Sequence, residues 1–272
     1  MGKDTRAASL IFAAGRGSRM KGFDGNKTLL PLVPVQSPYQ GTHPILLSIL
    51  DSLPPGPKAL VIHHRKEEVM AYTLSLGLTY CEQPVLNGTG GALLAATGFI
   101  ERGLSDRLII TMGDVPFVKN ATYLNLARAL EFCHLVVLGF RPQDKRQYGV
   151  LEIDEDRVKS IIEWKYWKAY PEERQKTLKI CNTGIYAVRT DDLIPYLKIL
   201  ERSAHKVLKE REGKMVEIEE FFVTDLVELM DQDGLKVGYV MADNEYEVMG
   251  IDDLPSLLRA QEIFREYSQN PL

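Results

Sequence analysis

Two places in this chain end an apolar run with residues that can do chemistry. "SLIFAAGRGSRM" (9–20) passes from a greasy stretch into Gly15, Arg16, Gly17, Ser18 and Arg19. "TMGDVPF" (111–117) places Gly113 and Asp114 directly after another apolar stretch. Paired glycines let a backbone approach an anion and turn its N–H groups toward it, and the guanidinium groups add positive charge. Met20 stands where the dinucleotide fingerprint has its third glycine, and no Walker-type G-K-[ST] follows. The first segment is therefore either a phosphate cradle or a solvated strand-to-helix turn. Lys27, in "GNKTLLPL", supplies a further cation nearby. Asp114 offers hard oxygen to a cation such as Mg²⁺, which takes one or two carboxylates plus phosphate oxygens. Its other reading is a turn cap.

A third cluster is "EQPVLNGTGGALLAA" (82–96). The Gln83 amide can read a nucleobase edge through its donor and acceptor. Asn87 to Gly91 form a tight loop, and the helix behind it offers an N-terminus. Alternatively the glycines simply allow close helix-to-sheet packing. Other candidates are Gly149, Glu163, Lys165, Asn182, Thr224 and Asp252. Glu163 and Lys165, two apart on an expected strand, share a face. Asp252 reads as the N-cap of a helix beginning near Leu254. Phe221, Phe222, Leu226 and Leu229 have the spacing of a buried helical stripe. Other chemistries lack their residues: there is no G-x-S-x-G, no H-E-x-x-H and no C-x-x-C. His63 and His64 are adjacent and fall on opposite faces of a strand.

These residues need elements to hold them. Apolar runs "ASLIFAA" (8–14), "KALVIHH" (58–64), "RLIITM" (107–112) and "HLVVLGF" (134–140) alternate with helix-length segments near 44–52, 66–76, 90–102 and 120–131. Continuous apolar strands between amphipathic helices predict βαβ units and a mainly parallel sheet covered on both faces. In such sheets ligands bind at the carboxyl ends of the strands. After residue 145 the pattern changes: "YGVLEID" and "VKSIIEW" read as an antiparallel pair, followed by strands at 179–188 and 236–242. The expected fold is α/β, Rossmann-like, as one domain over 1–272. About 1–145 and 236–272 form the main core, and about 146–235 form a smaller antiparallel lobe.

The 272 residues are 45% hydrophobic and 26% charged, with net charge −4. That balance argues against a nucleic-acid partner, which calls for a basic stripe. No apolar run approaches the roughly 18 residues of a membrane span. The N-terminus lacks both a signal-peptide core and the myristoylation pattern. Cys81, Cys133 and Cys181, odd in number and far apart, predict buried free thiols in a reducing cytoplasm.

Taken in order, the motifs resemble those of the sugar-nucleotide pyrophosphorylases. "FAAGRGSRM" with Lys27 is similar to the signature loop L-A-A-G-x-G-x-R-M and its lysine. "EQPVLNGTGGA" resembles the uracil-reading loop of the N-terminal domain of bacterial bifunctional N-acetylglucosamine-1-phosphate uridyltransferases, with a longer spacer after Gln83. "MGDVPF", "YGVLEID…VKSIIEWK", "CNTGIYAV", "FFVTDLVELM" and "VMGIDD" are similar to further segments of that domain, collinear from about residue 9 to 255. Two departures stand out. Asp252 aligns with a metal-ligating asparagine, and Met112 stands where a tyrosine is expected. No hexapeptide-repeat β-helix is present in the 272 residues, so the acetyltransferase half is expected to be absent.

The resemblance implies transfer of a nucleotidyl group, with UTP as the expected nucleotide and a sugar 1-phosphate, such as N-acetylglucosamine 1-phosphate, as acceptor. It implies Arg19, Lys27 and Asp114 as catalytic residues. Ala14, Gly15, Gly17, Gln83, Gly88, Thr89 and Gly90 would hold the nucleotide. Gly149, Glu163, Lys165, Asn182 and Thr224 would line the sugar pocket. Asp114 and Asp252 would hold Mg²⁺. Competing readings are a cytidylyl- or guanylyl-transferase for another phosphorylated acceptor, and a catalytically silent nucleotide-sugar-binding protein.

Overall fold

Runs of leucine and β-branched residues build the central sheet. The computed structural model describes residues 6–17, 19–211 and 214–269. Residues 1–5, on which the leader and acylation readings rest, and Ser18 lie outside them. The strands are β1 (Ala8–Phe12), β2 (Pro31–Ser37), β3 (Gln40–Pro44), β4 (Lys58–Ile62), β5 (Thr79–Glu82), β6 (Arg107–Met112), β7 (Leu135–Phe140), β8 (Val150–Asp154), β9 (Arg157–Ile162), β10 (Cys181–Arg189), β11 (His205–Arg211), β12 (Lys214–Glu220) and β13 (Val237–Met241).

Seven strands lie side by side in the order β13-β7-β10-β6-β1-β4-β5, and β8 and β9 extend the same sheet from β10. Neighbours on the seven-strand path pair in parallel except at β10, which runs antiparallel to both β6 and β7. Successive residues feed opposite faces. Leu10, Ile110 and Val137 join one apolar cluster, and Ile11, Ile109 and Val136 join the other. Both faces are therefore covered, which is why these strands read as unbroken apolar runs. Each fully buried aliphatic side chain contributes about 1.5–3 kcal/mol relative to exposure. The mainly parallel α/β sheet flanked by helices is as expected. Cys81, Cys133 and Cys181 are free and buried. No helix among the described residues is long and apolar enough to cross a membrane.

Helices Ile45–Ser52, Lys66–Thr73 and Asn120–Ala129 fall where the pattern puts them. The expected helix over 90–102 starts earlier, at Gly88, and is interrupted at Ala96 between Gly88–Ala95 and Thr97–Ile100. Two hairpins, β2–β3 and β11–β12, form separate small sheets that the periodicity does not reveal. Phe221 and Phe222 are not on a helical stripe. They form the link from β12 to the helix Asp225–Gln232, where Leu226 alone of the four is fully buried.

The sheet gathers the chemistry at one edge. β1, β4, β5 and β6 are parallel, so the residues following Phe12, Ile62, Glu82 and Met112 emerge on the same side. β10 is reversed, so its first residues, Cys181 and Asn182, lie at that edge beside Phe140 and Gly139.

Candidate functional site

The loop after β1 is built around a lysine. Gly17 takes φ +60°, open to glycine at little cost, and a Cβ there would stand 3.2 Å from the Lys27 Cβ. The glycine thus lets the loop lie on the lysine stem. At Gly15 a Cβ would meet nothing within 4 Å, so that backbone faces open space. Ala14 is buried at the strand end, and Arg16 is exposed. Lys27 opens a short 3₁₀ turn capped by Asn26, whose Oδ1 accepts from the Thr28 N–H at 2.9 Å. Asn26 Nδ2 donates to the His64 carbonyl at 2.7 Å, fixing the turn to the loop after β4.

The Lys27 ammonium donates to Asp114 Oδ2 at 2.5 Å and to Asp252 Oδ1 at 3.0 Å. Arg19 Nη2 stands 2.9 Å from the same Asp252 oxygen. Burial alone would depress the lysine pKa, but the two carboxylates outweigh it and hold the ammonium above its ordinary value. Asp114 is placed by main-chain bonds: the Gly113 N–H donates to the Phe12 carbonyl, and the Ile251 N–H donates to the Asp114 carbonyl, each at 2.9 Å. The Asp114 side chain is therefore free to face the lysine. Asp252 is not the helix cap. Asp253 performs that task, its Oδ1 accepting from the Ser256 N–H at 3.0 Å, which leaves the Asp252 carboxylate to turn toward Lys27 and Arg19.

A second group surrounds the loop after β5. Gln83 is 3% exposed, and its amide donates to Asn87 Oδ1 at 3.1 Å and to the Gly88 carbonyl at 3.2 Å. The Phe221 N–H donates to the Asn87 carbonyl at 2.9 Å, the Gly90 N–H donates to the Phe221 carbonyl at 2.8 Å, and the Val223 N–H donates to Thr89 Oγ1 at 3.2 Å. A Cβ at Gly88 would collide with the Phe221 oxygen, and one at Gly90 would stand 2.6 Å from the Phe221 carbonyl carbon. The glycines serve close packing against the Phe221–Phe222 backbone rather than against the sheet. Thr224, further along the same link, opens the helix Asp225–Gln232, and its side chain caps no helical N–H.

The third group joins Gly149, Glu163 and Asn182. The Asn182 N–H donates to the Gly149 carbonyl at 2.8 Å, and a Cβ at Gly149 would stand 3.6 Å from Glu163 Oε2. Asn182 Oδ1 accepts from the Gly184 N–H, and its Nδ2 donates to the Tyr186 hydroxyl. This turn sits in the irregular stretch of β10, where Gly184 at φ +79° packs on Met112, two residues before Asp114. Burial raises the Glu163 pKa; Lys165 opposes the rise and Asp225 adds to it. Glu163 and Lys165 do not share a strand face. β9 ends at Ile162, and Lys165 lies exposed on the short helix Trp164–Trp167, its ammonium 4.7 Å from the Tyr166 ring centre.

Sequence reasoning misses the supporting roles of three residues. Asn26 carries the signal of an N-cap beside the lysine, and Asn87 that of a turn former before glycine. His205, whose Nε2 lies 2.8 Å from Asp225 Oδ2, has no local signal because its partner is distant in sequence.

This geometry agrees with similarities along the whole chain. Residues 9–213 match the MobA-like NTP transferase domain. The bifunctional protein GlmU of Sphingopyxis alaskensis is 30% identical over 261 residues, 93% of this chain and 51% of that protein. The bifunctional protein GlmU of Jannaschia sp. is 32% identical over 264 residues, 95% of this chain and 52% of that protein. The chain thus spans about half the length of the curated relatives it matches. The crystal structure of the uridine diphosphate N-acetylglucosamine pyrophosphorylase from Trypanosoma brucei superposes with a TM-score of 0.73 at 13% identity, covering 94% of this chain and 65% of that one. At that identity the likeness is one of fold.

Proposed function

The chain belongs to the MobA-like NTP transferase family, and on that premise we propose that it joins UTP to a sugar 1-phosphate with release of pyrophosphate. The observation that carries the reading is the Lys27 ammonium, bonded at once to Asp114 and Asp252 beside a glycine loop. Phosphoryl transfer rests on positioning and charge neutralisation, and cations and carboxylates meet here at one strand edge.

An oxygen of the sugar phosphate bonds to the α-phosphorus of the nucleotide. The bond from that phosphorus to the α–β bridging oxygen breaks, and its electron pair leaves with pyrophosphate. No enzyme nucleophile is required. Ala14, Gly15 and Gly17 offer backbone to the triphosphate, and Arg19 and Lys27 offset its charge. Gln83, Gly88, Thr89 and Gly90 form the proposed base loop, on their resemblance to a uracil-reading segment. Gln83 acts there chiefly through the loop it braces, because its amide nitrogen already holds Asn87 and Gly88.

Glu163 is the proposed acceptor for a sugar hydroxyl or amide. Asn182 can add its second N–H, Gly149 leaves room beside the carboxylate, and Thr224 supplies a hydroxyl. Lys165 would reach a sugar phosphate only from a different rotamer, because its ammonium lies over Tyr166.

Mg²⁺ is the proposed cation. Asp114 and Asp252 suit it: they are hard oxygen donors that reach one common atom and keep 25% and 39% of their side chains exposed. No group of three or more His, Cys, Asp or Glu that could hold a metal occurs among the described residues, which leaves phosphate oxygens to complete the shell. When bound, the ion would supply Lewis-acid charge to the α-phosphate oxygens.

The test is pyrophosphate release across the four common nucleoside triphosphates and a panel of sugar 1-phosphates. UTP with one sugar 1-phosphate should turn over fastest. Activity confined to CTP or GTP would overturn the choice of nucleotide. UTP binding without release for any acceptor would point to a silent binding protein.

A further inference from the structure

The same lysine that would serve the phosphates sits on the two carboxylates that would serve the metal. We infer that Lys27 is the resident cation of the Asp114–Asp252 pair, and that a divalent ion binds there only after a triphosphate draws Lys27 and Arg19 away. The inference rests on the reading of that pair as metal ligands.

The charges around the pair already balance. Lys27 Nζ bonds to Asp114 Oδ2 and Asp252 Oδ1, and Arg19 Nη2 reaches that same Asp252 oxygen. Two carboxylates are therefore matched by two cations. A divalent ion approaching these oxygens meets like charge within contact distance, and a small hard ion must also shed tightly held water. Without another source of negative charge the exchange is unfavourable.

Each cation has a second partner within reach of a short movement. The Lys27 stem lies against Gly17, with its Cβ and Cδ 3.2 and 3.5 Å from a Cβ built there. Its ammonium thus stands at the boundary between an anion-seeking backbone loop and two anions. A buried ammonium does not stay charged without a counter-ion, so Lys27 exchanges partners and is not simply released. Arg19 is 72% exposed and swings at little cost. A triphosphate on the loop offers both of them negative charge and frees the carboxylates at the same moment. Metal capture is then coupled to nucleotide arrival.

The experiment titrates Mn²⁺, followed by the electron paramagnetic resonance of free Mn²⁺, with and without UTP, and the Mn²⁺ held by UTP in a protein-free series is subtracted so that only protein-dependent binding is compared. Wild type is compared with K27M, R19A and D114N, and folding is checked by thermal unfolding. Without nucleotide, K27M should bind Mn²⁺ about tenfold or more tightly than wild type, because a competing cation is gone. R19A should gain less, and UTP should tighten wild-type binding by a similar factor. D114N should lose the site in every condition. If neither K27M nor R19A binds Mn²⁺ more tightly than wild type without nucleotide, the inference is wrong. If K27M does not fold, R19A decides by the same criterion. If D114N with UTP binds Mn²⁺ as wild type does, the acidic pair is not the metal site, and the underlying reading falls instead.

Discussion

Lys27 Nζ stands 2.5 Å from Asp114 Oδ2, joining two strand-end loops whose residues are 87 positions apart. The contact exists because β1 and β6 are adjacent and parallel, so the segments beyond Phe12 and Met112 leave the sheet together. It makes the strand edge a place where charge can be exchanged, and the variants that test it need not disturb the core.

Asp114→Asn keeps the shape and removes the charge. Its side chain is one quarter exposed, and Asp252 still pairs with Lys27. The expected result is a fall in kcat of about 10²–10⁴ with a small shift in Tm, since the loss is one of charge stabilisation in the transition state. Chelation of divalent ions should match it in the wild type. Steady-state rates and thermal unfolding on the same preparations check this. Full activity in Mg²⁺ would remove Asp114 from the site.

Gln83 separates a bracing role from a base-reading one. Its amide N–H groups hold Asn87 Oδ1 and the Gly88 carbonyl in a nearly closed environment. Gln83→Ala leaves two acceptors unmatched, a loss of about 1–3 kcal/mol. Gln83→Glu places a carboxylate against those acceptors and should destabilise more. Discrimination between UTP and CTP should weaken in both variants as the loop loosens. Equal Tm values for the two variants would reject the bracing role.

The parts of the fold that were legible in the sequence are those whose cause is local. The central strands of the sheet read as apolar runs because both their faces are covered, and the glycine loop and Asp114 stand out because they end such runs; β5 at the sheet edge, with the sequence TYCE, gives no such run and is missed. The hairpin His205–Glu220 is missed because its strands are rich in charged residues, and Pro31–Pro44 because Pro31, Pro34 and Pro44 argue against a strand and neither of its strands shows a clean alternation. Asp252 and Asp253 look alike in sequence; only the Ser256 hydrogen bonds tell which of them caps the helix. Lys165 is misjudged because the strand ends one residue before Glu163 and a helical turn follows, its Trp167 Nε1 donating to the Tyr148 carbonyl. The bonds between Phe221 and the 87–90 loop are main-chain contacts across more than a hundred residues, and side-chain identity carries no trace of them; the Val223 N–H adds a bond to the Thr89 hydroxyl that is equally distant in sequence.

Glu163 predicts a pH-dependent conflict between stability and activity. Burial raises its pKa, with Lys165 opposing and Asp225 assisting. A carboxyl whose folded-state pKa is raised favours the fold when protonated. Its contribution is fully present below the ordinary glutamate value and is lost as pH rises through the raised one. Glu163→Gln removes that loss. The variant should match wild type in Tm at acidic pH and exceed it at neutral pH, while kcat/KM for the sugar phosphate falls. Thermal unfolding across this pH range measures the first part and initial rates the second. A Tm difference independent of pH would show that Glu163 ionises as an ordinary surface carboxyl.

Gly90 tests whether the loop and the Phe221–Val223 link act as one unit. A Cβ at this position would stand 2.6 Å from the Phe221 carbonyl carbon and 2.7 Å from the Phe222 nitrogen, both backbone atoms with no rotamer to yield. Gly90→Ala must therefore part the two segments, stretching the Gly90 N–H bond to Phe221 and the Val223 bond to Thr89. The expected cost is about 1–3 kcal/mol, the range for overpacking a close contact. Thr224 and Asp225 follow that link directly, so the disturbance should reach the sugar side as well, raising KM for both substrates together. Gly98, where a Cβ would meet nothing within 4 Å, provides the control: Gly98→Ala should leave both constants unchanged and hold or raise Tm. A rise in KM for the nucleotide alone would show that the loop moves independently of the link behind it.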